Sequence, residues 1–570
     1  MHYTYLEFCL SAAGLDLFEG DIKIEKNTRN AIIGDNYRWP QTIPYYLEDN
    51  LEINAKGIIL QAFERYRLKT CIDFKPWAGE KNYISVFKDS GCYSYIGNQH
   101  WGKQPLSIGS GCDTIEVVQH EFLHALGFYH EQSRSDRNDY VTIVWKNIQP
   151  GKGHNFEAYD DKTLSFLNVP YDYTSLMHYS KTSFQISNES TVIPKNPDYI
   201  NIIGNQMDFG ESDVLKLNKL YNCSSSLTFL DSCSFERDVI CGMLQSTSDS
   251  SDWERISNIS NGPNSDHTFL GKLSDTGYFM HFSTSTGNTG SNAILESRLF
   301  YPKRAYQCLE FFYYHSGSES DQLQIWIKEY TTGKPNGVLK LVDSVSGKPA
   351  DYWKVHFSSL NTTKKFRFVF QGVKGSGNST GGISIDDINL SETQCVQNVW
   401  HIRNFSLDFT KEIALSPPYY SNDGYAYQIA LWSYATLSSP YNLAAYLYLI
   451  TGENDRTLQW PCPWRQATVE FMDQNPTIQQ RTSNMKSITT DPKQFSPGSN
   501  TLLWNNPAVV GSFSLFPNGT TYRKTGGYGQ FLFKAEEWLY RRDFLKGGDA
   551  FILISMEGMP QIITFYLQWL

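Results

Sequence analysis

The 570-residue sequence predicts a multidomain protein, one mixed α+β domain followed by two all-β sandwiches. Three observations carry this. The chain is longer than one hydrophobic core serves, since domains usually run to ~100–200 residues. Between residues 55 and 126, apolar residues recur twice at three- and four-residue spacing, the mark of amphipathic helices. Beyond residue 228 the period falls to two, as in Tyr278–Phe282, Leu323–Ile327 and Phe366–Phe370, which is the spacing of strands.

The second of those helices carries chemistry. Ile115, Val118, Leu123 and Leu126 make its apolar side. His120 and His124 lie four apart, so both imidazoles leave one face and can bind one zinc. Gly127 lets the chain leave the helix in a conformation other residues resist, which brings His130 round as a third ligand. Three neutral imidazoles leave one coordination position open, as catalytic zinc requires. Glu121, beside the first ligand, would take the proton from the attacking water. The bland alternative is a buried helix with satisfied histidines. Three His, one Glu and one Gly all falling on one spacing argue against it.

Composition narrows the class. A net charge of −10 without any basic run argues against a nucleic-acid partner. The ten cysteines form no C-x-x-C pair, which disfavours a zinc ribbon or a thioredoxin-type motif. Eight N-x-[S/T] acceptors (Asn188, Asn222, Asn258, Asn361, Asn378, Asn389, Asn404, Asn518) point with the cysteines to a secreted or luminal glycoprotein. Residues 1–15 lack a basic start and are interrupted by Glu7, so they do not make a signal peptide. No run of ~18 apolar residues exists, and Ile562 to Leu570 is too short to span a bilayer. The expectation is an extracellular protein, or one tethered at the plasma membrane, whose leader and anchor lie outside this chain.

His120-Glu-Phe-Leu-His124-Ala-Leu-Gly127-Phe-Tyr-His130-Glu131 resembles the signature of the astacin branch of the metzincin metalloproteases, and Ser175-Leu-Met177-His-Tyr179 resembles its Met-turn. The resemblance implies an α+β zincin fold over residues 30–227, one Zn2+ per chain, and hydrolysis of peptide bonds. It also implies Met177 as an apolar floor and Tyr179 as a displaceable ligand that swings onto the oxyanion. Phe18-Glu19-Gly20-Asp21 is similar to the family's pro-peptide motif, so residues 1–29 are a partial pro-segment with Asp21 in the zinc position that water needs. Cleavage after Arg29 by a trypsin-like protease would free Asn30, which turns inward toward Glu131. Within the protease domain, Trp39–Leu47 reads as extended, residues 55–69 as a helix and Tyr83–Phe87 as a strand. The zincin layout places a cleft below an edge strand, to which an extended substrate adds by main-chain hydrogen bonds. Disulfides Cys71–Cys223 and Cys92–Cys112 are implied by the same likeness. The first closes a loop of roughly 150 residues, worth ~4–5 kcal/mol in the chain-entropy model.

Specificity is thinly written. Relatives that favour acidic residues after the scissile bond carry Arg where this chain has Gln206, and Lys152 could supply part of the missing charge. Arg134 and Arg137 are, with Lys152, candidates to set the prime-side pocket, but they read rather as ion-pair partners of Asp136 or Asp139.

Residues 228–396, from Cys233-Ser-Phe-Glu236 to Gly381-Gly-Ile-Ser-Ile-Asp386, resemble a jelly-roll-like MAM domain, implying disulfides Cys233–Cys241 and Cys308–Cys395. Glu236, Asp266 and Asp386 are candidate ligands of a cation there. Residues 397–560 resemble a MATH (TRAF-like) domain through Val399–Phe405, Ser416–Tyr420, Trp460–Trp464 and Arg542–Asp549, with 561–570 a tail. Cys462 is left over and is expected to be a buried free thiol.

The order protease, MAM, MATH resembles the meprin family, and within it the β-type members. That implies peptide and protein substrates and homo- or hetero-oligomers built through the MAM and MATH modules. Leu273 stands where an intersubunit cysteine is expected, which puts a disulfide-linked dimer in doubt. Two rival readings are a catalytically silent adhesion protein acting through the two sandwiches, and a permanently latent protease.

Overall fold

The computed structural model describes residues 17–24, 35–159, 166–272, 276–406, 413–434, 442–533 and 536–559. Arg29, Asn30, Leu273 and the tail 561–570 lie outside the described residues.

The first domain is built on a five-stranded sheet. Its strands are β1 (Thr42–Leu47), β2 (Asp73–Pro76), β3 (Tyr83–Phe87), β4 (Cys92–Tyr93) and β5 (Lys103–Ile108), in the order β2-β1-β3-β5-β4. Only β4 runs antiparallel, which makes it a short edge. Helix α1 (Ile53–Lys69) lays Ile58, Ile59, Ala62, Phe63 and Tyr66 onto the core, as its period dictates. Helix α2 (Ile115–Ala125) is buried at every residue. Its apolar side joins that core, while its other side faces the histidine cluster. Helix α3 (Glu211–Leu220) follows, and Cys223 beyond it is bonded to Cys71. Cys92–Cys112 closes the segment ahead of α2.

The second domain is a two-sheet antiparallel sandwich. In one sheet the fully buried strand Gly382–Ser391 pairs with Phe279–Ser283 and Cys308–His315. In the other, Gln322–Thr331 lies between Lys334–Val345 and Phe366–Val373. Gly382–Ser391 shows no polar side facing water, unlike the usual alternation of an antiparallel strand, because both faces of its sheet are covered. One face meets the sandwich core. The other carries Phe279, Phe312, Trp353 and Val355 into a cluster with Met472, Phe551 and Leu553 of the third domain. Cys233–Cys241 and Cys308–Cys395 are bonded here. Asn389 also lies on this strand, buried, donating to Pro476 O at 2.8 Å and accepting from the Ile478 amide at 3.1 Å. That removes it from the glycan acceptors expected above.

The third domain is again a sandwich. One sheet has four strands, Asn398–Ile402, Ala550–Gly558, Arg465–Phe471 and Asn484–Thr489, in that order. The facing sheet is centred on Ala426–Tyr434 and Asn442–Leu449. Cys462 is buried and free, and burial pushes its thiol up to about 12.

This third domain docks onto the first through α1. Asn54, Gly57, Gln61, Arg65 and Lys69 line one stripe of the helix. Asn54 accepts from Gln466 at 3.0 Å and from Thr489 at 2.6 Å. Gln61 donates to Thr468 at 2.9 Å, and Arg65 pairs with Glu470 at 2.6 Å. Lys69 donates to the Arg481 carbonyl at 2.5 Å. On α2, Glu116 pairs with Lys486 at 2.5 Å. Met485 and Met559 belong to the first domain's core cluster itself.

Candidate metal centre and catalytic cleft

His120 and His124 come from successive turns of α2. Gly127, at φ 112°, ends that helix with its amide on the His124 carbonyl, and His130 returns to the same point. The ring of each histidine is oriented from behind. His120 Nδ1 lies 2.9 Å from the Leu176 carbonyl, His124 Nδ1 2.7 Å from the Phe128 carbonyl, and His130 Nδ1 2.7 Å from a Glu19 carboxylate oxygen. An oxygen at each Nδ1 fixes the orientation of each ring and turns the three Nε2 atoms inward to one point.

Those three nitrogens surround the Asp21 carboxylate, at 3.1 Å from His120, 3.3 Å from His124 and 3.3 Å from His130. The four ligand atoms lie within 4.8 Å of one another, and all four residues are buried. Asp21 Oδ1 and the Nε2 atoms of His124 and His130 have no hydrogen-bond partner. Buried polar atoms left unpaired and aimed at one point are what a cation binding there would satisfy. Three imidazoles and a carboxylate are a donor set suited to zinc. Glu121 is buried beside the cluster.

Electrostatics in this arrangement are mutual. Burial alone would raise Asp21, but the imidazoles of His130, His124 and His120 hold it well below the ordinary carboxylate range. Against its own burial, His130 is lifted to about 9 by Asp21 and Glu19. His124 is pushed down to about 4, chiefly by burial. Glu121 is raised well above its usual value by burial and by the Asp21 charge. A bound dication inverts this local logic, because it stabilises every nearby anion.

Residues 17–24 lie across the cleft. The Lys23 amide donates to Ser94 O at 2.8 Å and the Ser94 amide to Asp21 O at 3.0 Å, so the segment pairs in parallel just beyond the edge strand β4. Tyr179 donates its hydroxyl to the Glu19 carbonyl, and Tyr159 donates to the Glu19 carboxylate at 2.8 Å. Glu19 and Tyr159 are the site residues that spacing did not reveal. Each acts across more than a hundred residues of chain, and no local pattern marks such a contact.

Met177 is buried in the core cluster next to the α2 residues, and its carbonyl accepts from the Glu131 amide at 2.8 Å. Glu131 is paired with Lys216 at 2.5 Å and Arg134 at 3.3 Å, so the carboxylate assigned to a new N-terminus already has cations beside it. Arg134 forks onto Asp136 with two bonds of 2.8 Å. Arg137 differs from expectation, turning to the carbonyls of Gln132 and Phe156 and to Asn138 instead of Asp139. The Gln206 amide is committed to the Tyr173 carbonyl at 3.2 Å, and Lys152 precedes the short helix Gly153–Phe156. In the second domain, Glu236, Asp266 and Asp386 accept from the amides of Tyr278, Phe269 and His267. Among the described residues only the Asp21–His120–His124–His130 group brings three or more metal-ligating side chains within 4.8 Å of one another.

Comparison with known proteins matches residues 31–222 to Astacin (Peptidase family M12A), 233–396 to the MAM domain, meprin/A5/mu, and 397–555 to the MATH domain. The chain is 58% identical over 550 residues to "Meprin A subunit beta" of Rattus norvegicus, covering 96% of this chain and 77% of that protein. Its identity to the Homo sapiens protein of the same name is 56%, covering 97% and 79%. Among solved structures, high choriolytic enzyme 1, a hatching enzyme zinc-protease from Oryzias latipes, aligns at 37% identity. It covers 36% of this chain and 99% of that chain, with a TM-score of 0.31.

Proposed function

The chain belongs to the meprin family of astacin-type zinc metalloendopeptidases, and we propose that it is the latent form of such an enzyme, held inactive by residues 18–21 and activated by cleavage after Arg29. The observation that carries this is the Asp21 carboxylate seated among the three Nε2 atoms. His120, His124 and His130 would hold one zinc, which when bound supplies Lewis acidity and a more acidic water. Glu121 would take the proton of the attacking water and return it to the leaving amine. The Tyr179 hydroxyl, freed from the Glu19 carbonyl, would donate to the developing oxyanion. Removal of the pro-segment also opens the edge beside Ser94 to a substrate strand.

The pro-segment opposes catalysis three times over. Asp21 fills the open position, Glu19 engages Tyr179, and the Ser94 edge is taken. Cleavage after Arg29 by a trypsin-like protease would remove all three together. The freed Asn30 amine would then compete with Lys216 and Arg134 for Glu131. Substrates would be extracellular peptides and proteins, met after export or at a membrane, with assembly through the MAM and MATH domains.

The test uses the full chain before and after trypsin. Wild type should carry close to one zinc and cleave a quenched peptide library only after treatment. Glu121→Ala should keep the zinc and lose activity by at least ~10³-fold. Asp21→Ala should cleave without trypsin, and Arg29→Ser should stay latent with it. Zinc bound with no Glu121-dependent cleavage would transfer the function to the two sandwiches.

A further inference from the structure

The segment Asp198–Phe209 lies between the third domain and the catalytic cleft and touches both. Ile202, fully buried, belongs with Met207 to the apolar cluster of the third domain, which also holds Trp538 and Leu539. The next residue, Ile203, enters the cluster built by Tyr179, Phe156, Phe184 and Tyr171. Tyr199 borders both clusters. Gly204 follows at φ 71°, so close to the Met-turn exit that a Cβ there would sit 2.2 Å from the Ser180 Cα. Ser180 is the covalent neighbour of Tyr179. From outside, Asn201 donates to Glu537 at 2.7 Å, and Arg541 donates to the Asp198 carbonyl at 3.1 Å while lying over the Tyr199 ring. At the far end Asp208 accepts from Gln119 at 2.7 Å, the residue before His120.

We propose that the third domain is a positioning element of the catalytic cleft, with Ile202 the residue through which it holds Tyr179 in place. The inference rests on the oxyanion role proposed for Tyr179 above. Its physical basis is close packing. Consecutive side chains locked into opposite cores leave no room for one to slacken without moving the other. A hydroxyl that must meet an oxyanion at 2.7–3.1 Å is sensitive to such movement, and a misplacement of ~1 Å can cost ~10²-fold. Ile202 is therefore a positioning residue and touches no substrate.

The experiment uses the trypsin-activated full chain, assayed well below its unfolding temperature. In Ile202→Ala, kcat should fall about tenfold with KM and zinc content unchanged. Ile202→Val, which removes one methylene, should fall part of the way. The surface pair Glu537→Ala with Arg541→Ala, which leaves the protease domain intact, should shift kcat in the same direction. Combined with Tyr179→Phe, Ile202→Ala should cost nothing further, because both act on one hydroxyl. A lowered Tm with unchanged kcat, or losses that multiply in the double variant, would overturn the proposal. Tyr179→Phe alone separates the two readings. If it leaves kcat intact, the oxyanion role fails. If it is impaired while Ile202→Ala is not, only the positioning fails.

Discussion

Glu131 sits buried between Lys216 at 2.5 Å and Arg134 at 3.3 Å, and also accepts the Asp172 amide at 3.0 Å. Asp213, one turn before Lys216 on α3, spends its carboxylate on the Ser175 hydroxyl at 2.6 Å and on the Leu176 and Gly210 amides at 2.8 and 2.9 Å, so it is a weak substitute as counter-ion for Lys216. Glu131→Gln should therefore leave Lys216 buried without an adequate carboxylate and cost ~3–5 kcal/mol, read from the urea midpoint of the full chain. A loss under ~1 kcal/mol would show that Asp213 suffices as the counter-ion of Lys216. The candidate metal cluster is legible in the sequence, because i, i+4 on a helix is a local geometric fact. The nearer of Glu131's two cations is not: Lys216 is 85 residues away and reaches it only once α3 packs.

Strand Phe279–Ser283 carries a buried titratable ring at its centre. His281 on it is fully buried, with Nδ1 2.9 Å from the Ser384 hydroxyl and Nε2 unpartnered. Burial pushes this imidazole down to about 4. An unfolded histidine titrates near ~6.5. The folded value lies lower, so the neutral ring's contribution is complete above about pH 6.5 and is lost as pH falls toward 4. The unfolded chain binds more protons across that window, and the total is roughly 3 kcal/mol. Denaturation midpoints of the full chain should fall between pH 7 and pH 4.5, and His281→Leu should flatten that part of the slope. An unchanged slope would mean the ring is protonated in the fold. The period-two patterns located these strands, but the burial of both faces of Gly382–Ser391 followed only from the domain packed against it.

Across the whole molecule, the modules do not behave as beads on a string. Met485 and Met559 of the third domain lie in the protease core, while Ile202 and Met207 of the protease lie in the third domain's core. Arg481 joins all three domains, with its carbonyl on Lys69 and its guanidinium on Glu310 at 2.6 Å. Shared cores predict shared cooperativity. Calorimetry of the full chain should show the protease and third domain unfolding in one transition. A separate, earlier transition of the third domain with proteolysis retained above it would show that they are independent.

What the sequence determined by itself was everything encoded at short range. The His120, His124 and His130 spacing, the Gly127 exit, the strand periods and the module order each depend on neighbours a few residues apart, or on runs long enough to be recognised whole. What only the tertiary structure decided was the meaning of polar surfaces. Asn54, Gln61, Arg65 and Lys69 have the spacing of a solvated helix face, yet they are the face on which the third domain sits. Hydrophobic periodicity reports which side of an element faces its own core. A second interface made of hydrogen bonds and ion pairs has the same composition as a side facing water, so its partner appears only when the chain is folded.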